Sequence, residues 1–306
     1  MDKIIVIAGG NGFLGRYLTE YFTSIGWKVR VIARKRKGAS SKAAFYQWDG
    51  KNIGDWSAAL KGATAVVNLA GRTLNCRYNK RNKQQILNSR IDTTRVLASA
   101  LNEIESPPNV WLNSSTATIY RHAQDYAQTD EAGEIGEGFS VGIAKKWEQA
   151  FFECETPEKL RKVAMRTAIV LGNEPETVAH VLGNLARKGL GGKMGSGKQM
   201  VSWLHIKDFC RAVEWLITGG DRKGTYNLSA PFPETNAMFM QKVREWVGVS
   251  FGLPATAWML ELGALFLRTE TELILKSRWV LPTRLMAEGF THQYEKLEDC
   301  FASFKA

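Results

Sequence analysis

The stretch Lys3-Ile-Ile-Val-Ile-Ala-Gly-Gly-Asn-Gly-Phe-Leu-Gly15 constrains this chain more than any other. An apolar, β-branched run over Ile4–Ile7 meets glycines at 9, 10, 12 and 15. The segment Arg16–Ser24 follows, with Leu14, Leu18, Tyr21 and Phe22 at helical spacing. Strand, glycine turn and helix in that order form the opening unit of a dinucleotide-binding sheet. The glycines permit a tight turn and close backbone approach, and the helix N-terminus faces a pyrophosphate. Gly9, Gly10, Asn11, Gly12, Phe13, Leu14 and Gly15 are therefore candidate cofactor contacts.

The alternating segment Lys28–Ala33 reads as a second strand, and Arg34-Lys-Arg-Lys37 follows it at once. In this architecture the end of the second strand meets the adenosine ribose. An acid there bonds a 2′-hydroxyl, whereas an arginine accepts a 2′-phosphate. Arg34 occupies the place with Lys35 beside it, and guanidinium geometry suits a phosphate. NADP is thus the expected cofactor, in preference to NAD.

Further strands are expected over 44–49, with Asp49 at its end near the adenine, and over 63–69. The second of these leads to Leu69-Ala-Gly71, small residues where the cofactor approaches. Between them 56–60 reads as a short helix. Lys80–Asn102 carries a long helical pattern with Ile86, Ile91, Val96, Leu97 and Leu101 on one face and arginines on the other. Val110–Leu112 starts a fifth strand running into Asn113-Ser-Ser-Thr-Ala-Thr-Ile-Tyr120, whose hydroxyls, Ser114 included, would sit over the ligand crevice. A helix is expected over 143–153 and a sixth strand over 163–171. This alternation predicts an α/β fold built on a right-handed, doubly wound parallel sheet.

Beyond Gly172 the rhythm changes: 177–188 reads as helix, and 189–198 is glycine-rich. Gly192-Lys-Met-Gly-Ser-Gly-Lys198 nearly spells a phosphate loop, but Gln199 replaces the magnesium-binding hydroxyl and no strand precedes it. A helix over 209–216 and a strand over 224–229 return to the sheet. The remainder reads as a smaller, mostly helical part, including a buried helix over 255–267. The expected division is 1–171 plus 205–229 for the cofactor and 172–204 plus 230–306 for the substrate.

With these residues in view, the chain resembles the extended short-chain dehydrogenase/reductases. More narrowly, it resembles their atypical nucleoside-diphosphate-sugar-epimerase-like family with a C-terminal domain of unknown function. The resemblance rests on Gly9–Gly15, Asn68-Leu-Ala-Gly71, the segments 86–95, 166–172 and 189–208, Tyr226–Pro231 and Val280-Leu-Pro-Thr-Arg284. It implies an NADP-type cofactor and a C-terminal substrate cap, and with them an oxidoreductase or epimerase acting on a small carbonyl or sugar-nucleotide substrate. In relatives a serine or threonine holds the substrate oxygen, a tyrosine trades a proton with it, and a lysine four residues on lowers that tyrosine's pKa. The resemblance places Thr116 in the hydroxyl role with Ser115 beside it.

The tyrosine–lysine pair is missing. With Glu148 as the family's helix acid, Ser140 stands in the tyrosine place and Ala144 in the lysine place. Shifting by one recovers Lys145 but leaves Val141 as its partner. Without a tunable phenol the usual proton relay is absent. Three outcomes stay open. Another donor substitutes, from Tyr120, Tyr126, Lys145, Lys146 or His205; or hydride transfer needs only Thr116 and ordered water; or the chain binds NADP without turnover, as a sensor or regulator.

The net charge of +11 comes from basic clusters at 28–37 and 72–95. It brings no nucleic-acid motif and no aromatic-interleaved basic stripe, so a small-molecule substrate is expected in preference to nucleic acid. Four cysteines, at 76, 154, 210 and 300, form no CxxC pair. That excludes a sequence-evident zinc site and leads us to expect reduced thiols in a cytoplasm. No leader-like or membrane-spanning run is evident, and the helices over 80–102 and 143–153 offer a possible homodimer seam.

Overall fold

The computed structural model describes residues 3–36, 42–74, 76–256, 258–260 and 275–305. Its first half builds β1 (Ile4–Ala8), α1 (Phe13–Ser24), β2 (Lys28–Ala33), β3 (Ala44–Gln47), a 3₁₀ turn over Asp55–Leu60, β4 (Ala65–Asn68), α2 (Lys80–Asn102), β5 (Val110–Thr116), α3 (Phe139–Glu153) and β6 (Arg161–Thr167). With β10 (Gly224–Leu228) these strands form a seven-stranded sheet in the order β3-β2-β1-β4-β5-β6-β10, every pair parallel. The expected doubly wound parallel sheet is present.

Strand alternation assigns the two faces. Ile5 and Ile7 of β1, Val67 of β4 and Leu112 of β5 pack with Leu18 and Phe22 of α1. Phe209 and Val213 of α5 (Ile206–Thr218) complete that layer. Val6, Val66 and Trp111 point the other way, onto Val96, Leu97 and Leu101 of α2 and Phe151 of α3. Strand order reverses between β1 and β4, which opens a crevice beyond their carboxyl ends.

One expected strand divides in two. The run over 163–171 leaves the main sheet at Ala168, and β7 (Ile169–Leu171) pairs instead with β9 (Trp203–His205). Ala168 marks the break: its amide donates to Leu228 O (2.9 Å), while that of Ile169 donates to Ser202 O (3.3 Å). Beyond it, α4 (Val178–Arg187), α6 (Asn236–Val247) and α8 (Leu297–Ala302) enclose a second core that includes Trp203, Phe239, Trp246 and Phe301. A short α7 (Thr283–Ala287) and the hairpin-like pair of β8 (Met200–Val201) with β11 (Glu234–Thr235) complete this part. The phosphate-loop look-alike is a turn, with Gly195 and Gly197 at positive φ, closed by the Gln199 amide donating to Met194 O. The helix expected over 255–267 lies largely outside the described residues.

Candidate active site

The glycine turn is packed from below and open above. Gly9 has φ +81°, and a Cβ there would lie 2.8 Å from Ala70 N. At Gly15 a Cβ would lie 2.5 Å from the Cα of Gly10, so helix and turn meet with no room for a side chain. Gly12 differs. It is the exposed N-cap of α1, it makes no side-chain cap, and a Cβ there would meet nothing closer than Gly9 O at 3.7 Å. The first-turn amides of α1 thus face an open, anion-compatible space. The opposite side of the turn is held by Asn68, fully buried, whose amide donates to Asn113 Oδ1 (2.7 Å) and whose Oδ1 accepts from Ala70 N (3.0 Å).

Arg34 and Lys35 directly follow β2 with exposed side chains, and the Asn11 amide donates to Lys35 O. Asp49 is exposed at the next strand end. Its carboxylate accepts from the amides of Asn52 and Lys51 and from the Asn52 side chain. Those bonds, the Asn52 amide foremost, hold its pKa down to about 2. Both of its oxygens thus serve their own turn.

A cleft of about 480 Å³ opens over the strand ends. Phe13, Leu14, Leu69, Gly71 and Ser114 line its cofactor side. Thr116, Ser140, Ala144 and Trp147 line its centre, and residues 167–170 and 176–178 form the far wall. The far wall is therefore the split strand and the start of α4. Arg16 of α1 reaches across the mouth to an ion pair with Glu176.

The register of α3 is decided by Glu148. It lies at the buried end of a line through Ser140 and Ala144, which both face the cleft, as i, i+4, i+8 spacing requires. Lys145 and Lys146 point to solvent and do not line the cleft. Glu148 accepts from Ser115 Oγ and takes both Nε (2.9 Å) and Nη2 (2.7 Å) of Arg166. Burial alone would lower the Arg166 pKa, but the bonds and charge of Glu148 raise it. The Ser115 hydroxyl is thereby committed to Glu148, although the residue borders the cleft.

Thr116 is placed differently. Its Oγ1 accepts from Thr118 N (3.1 Å), and its own hydroxyl hydrogen has no acceptor among the described residues. Tyr120 does not reach the cleft. Its ring is 1% exposed, its hydroxyl donates to Asn227 Oδ1 (2.8 Å) and accepts from Arg166 Nη1 (3.0 Å), and burial raises its pKa. Tyr126 is exposed in the loop before α3. His205 is buried elsewhere, capping α5 through Lys207 N (3.0 Å) and bonding Ser303 Oγ (3.0 Å).

A sequence profile of the NAD dependent epimerase/dehydratase family matches residues 5–229. The chain belongs to this family. A second profile, a domain of unknown function (DUF1731), matches residues 255–304 of this epimerase-family chain. The epimerase family protein SDR39U1 of Homo sapiens is 30% identical over 298 residues, 96% of each chain. The epimerase family protein YfhF of Bacillus subtilis is 28% identical over 96% of this chain and 95% of its own. Among solved structures, human SDR39U1 (isoform 2) with NADPH superimposes with a TM-score of 0.86 at 27% identity, covering 98% of each chain.

Sequence reasoning missed one wall of the cleft. Arg90 was expected among the exposed arginines of α2, yet it is buried and lines the cleft beside Arg72. Its spacing held the signal: it lies four residues from Ile86 and four from Thr94, on the helix's buried stripe.

Proposed function

We propose that this chain is an NADP-dependent oxidoreductase acting on a small carbonyl compound. The observation that carries the reading is the joining, in one cleft, of the open N-terminal turn of α1 with the Thr116 hydroxyl. The glycine cradle suits a pyrophosphate, and Arg34 with Lys35 suits a 2′-phosphate at the end of β2. The NADPH bound by human SDR39U1 supports the same choice of cofactor. The parts over 172–204 and 230–306 are the substrate-facing side in this reading.

Bound NADPH would supply a hydride to the carbonyl carbon and leave as NADP⁺. The chain's own task is then to hold the carbonyl and deliver a proton to its oxygen. Thr116 already accepts from Thr118 N, which leaves its O–H to donate to that oxygen. Ser140, in the tyrosine place, lines the same cleft. Neither hydroxyl is acidic enough to be spent, so each relays a proton from water and is restored. The Ser115–Glu148–Arg166 set fixes the floor beneath them.

A specific observation favours a second reading: serine stands where the relay tyrosine belongs, and the Tyr120 phenol is used up inside the fold. In that reading the chain binds NADP and signals through it without turnover. Titration with NADPH followed by a panel of aldehydes, ketones and sugar nucleotides, read at the nicotinamide absorbance, separates the two. Oxidation that Thr116→Ala abolishes supports the enzyme; full occupancy without oxidation of any substrate defeats it. For the cofactor, Arg34→Asp should weaken NADPH at least tenfold more than NADH. Equal effects on both would reduce Arg34 to a surface charge.

A further inference from the structure

The cleft contains a buried cation that no carboxylate of the described residues balances. Arg90 is 9% exposed, and among the described residues no acid lies within ion-pair distance of it or of Arg72. Nη1 of Arg90 donates to Ile86 O (3.0 Å) and Arg72 O (3.1 Å), and the guanidinium sits 5.1 Å from the centre of the Trp147 ring. Among the described residues Nε and Nη2 have no hydrogen-bond partner, and neither is sealed from solvent as an orphaned buried atom. These two nitrogens form one edge of the guanidinium fork, the edge that grips a carboxylate or phosphate bidentately. Burial lowers the Arg90 pKa to about 10, so the cation is desolvated yet still charged at neutral pH.

The surroundings repeat the sign. Arg72 follows Gly71 on the same wall, its Nη2 donating to Asn82 Oδ1 (2.9 Å). Glu176 is the one acid among the lining residues, and Arg16 already neutralises it. A buried, uncompensated charge costs several kcal/mol, so a site that keeps one is suited to a ligand of opposite sign.

We propose that Arg90, with Arg72 beside it, forms an oxyanion-recognising subsite. The substrate carries a carboxylate or phosphate close to its reactive carbonyl, and the Nε–Nη2 edge of Arg90 receives that group. The proposal rests on reading the cleft as the substrate site. It narrows the substrate class from carbonyl compounds in general to small oxo acids and phosphorylated carbonyls.

The test is calorimetric titration of the NADPH-loaded chain with oxamate and with oxamide, a neutral molecule of nearly the same shape. Oxamate should bind at least tenfold more tightly than oxamide. Arg90→Met should erase that difference while leaving NADPH affinity within twofold. Inorganic phosphate competing with oxamate in the wild type, and not in Arg90→Met, extends the subsite to phosphates; failure to compete confines it to carboxylates. Equal binding of oxamate and oxamide overturns the proposal. So does a variant that loses NADPH while oxamate binding is unchanged, since Arg90 would then serve the cofactor. A purely structural arginine would lower the melting temperature and weaken both probes alike. Should Arg90→Met not fold, Arg90→Lys decides: it keeps a donor for the two carbonyls but loses the fork, and unchanged oxamate affinity would sink the assignment. Titrations repeated without NADPH separate the two readings. A chain that never binds NADPH refutes the proposed function, while oxamate discrimination that depends on Arg90 still upholds the subsite.

Discussion

Gly15 and Gly10 lie back to back, and that contact sets the height of the turn on which a dinucleotide would rest. Gly15→Ala forces a methyl into backbone 2.5 Å away, which neither partner can yield cheaply. We expect about 1–3 kcal/mol of destabilisation, as for other overpacked sites, together with loss of NADPH binding. Denaturant unfolding and fluorescence titration would check both, and a variant that kept wild-type affinity would show that the turn tolerates displacement. Under the proposed oxidoreductase function, Thr116→Ala should lower turnover at least tenfold with NADPH affinity unchanged; unaltered turnover would end its proposed role as hydroxyl donor. The places of these two residues, in the turn under α1 and at a strand end on the cleft, were legible because each follows from a local motif. Arg90 was not, because its charge suggested exposure and outweighed the spacing from Ile86 and Thr94 that puts it on the buried stripe of α2, against Trp147.

At the scale of elements, α3 is tied to the sheet by the Glu148–Arg166 pair, whose side chains are 11% and 12% exposed. Removing one partner of such a pair strands the other charge inside the fold. Glu148→Gln should therefore cost about 3 kcal/mol, read as a fall in melting temperature. A change under about 0.5 kcal/mol would mean that water already shares the pair. The helix α2 was read from sequence with the same ends as observed, because its apolar periodicity is long and Asn79 caps it through Asn82 N. The division of β6 from β7 was not readable. Val163–Leu171 is uniformly suited to a strand, and which neighbour a strand pairs with is decided by the fold around it. The same holds for Tyr120, whose position at a strand end gave no hint that Asn227 and Arg166 would claim its hydroxyl.

For the molecule as a whole, His205 makes stability depend on pH. It caps α5, bonds Ser303 and stacks on Tyr294 at 3.7 Å, and burial pushes its pKa down to about 4. A histidine whose folded pKa is depressed binds protons more readily when unfolded. Its contribution is thus fully present above about pH 6.5 and is lost as pH falls toward 4, amounting to about 3 kcal/mol. His292 is shifted in the same direction by burial. Chemical unfolding across that range should show the decline, and His205→Asn, which can still cap the helix, should flatten it. An identical slope in both proteins would place the effect elsewhere.

The break at Ala168 has an evolutionary consequence. One continuous backbone ends the sheet at Thr167 and becomes the far wall of the cleft at Ile169 and Val170. A one-residue insertion at that point would turn the following strand over, exchanging the side chains that face the cleft for those that face the second core. A single indel could therefore reshape the cleft, while the glycine turn more than 150 residues upstream stays untouched.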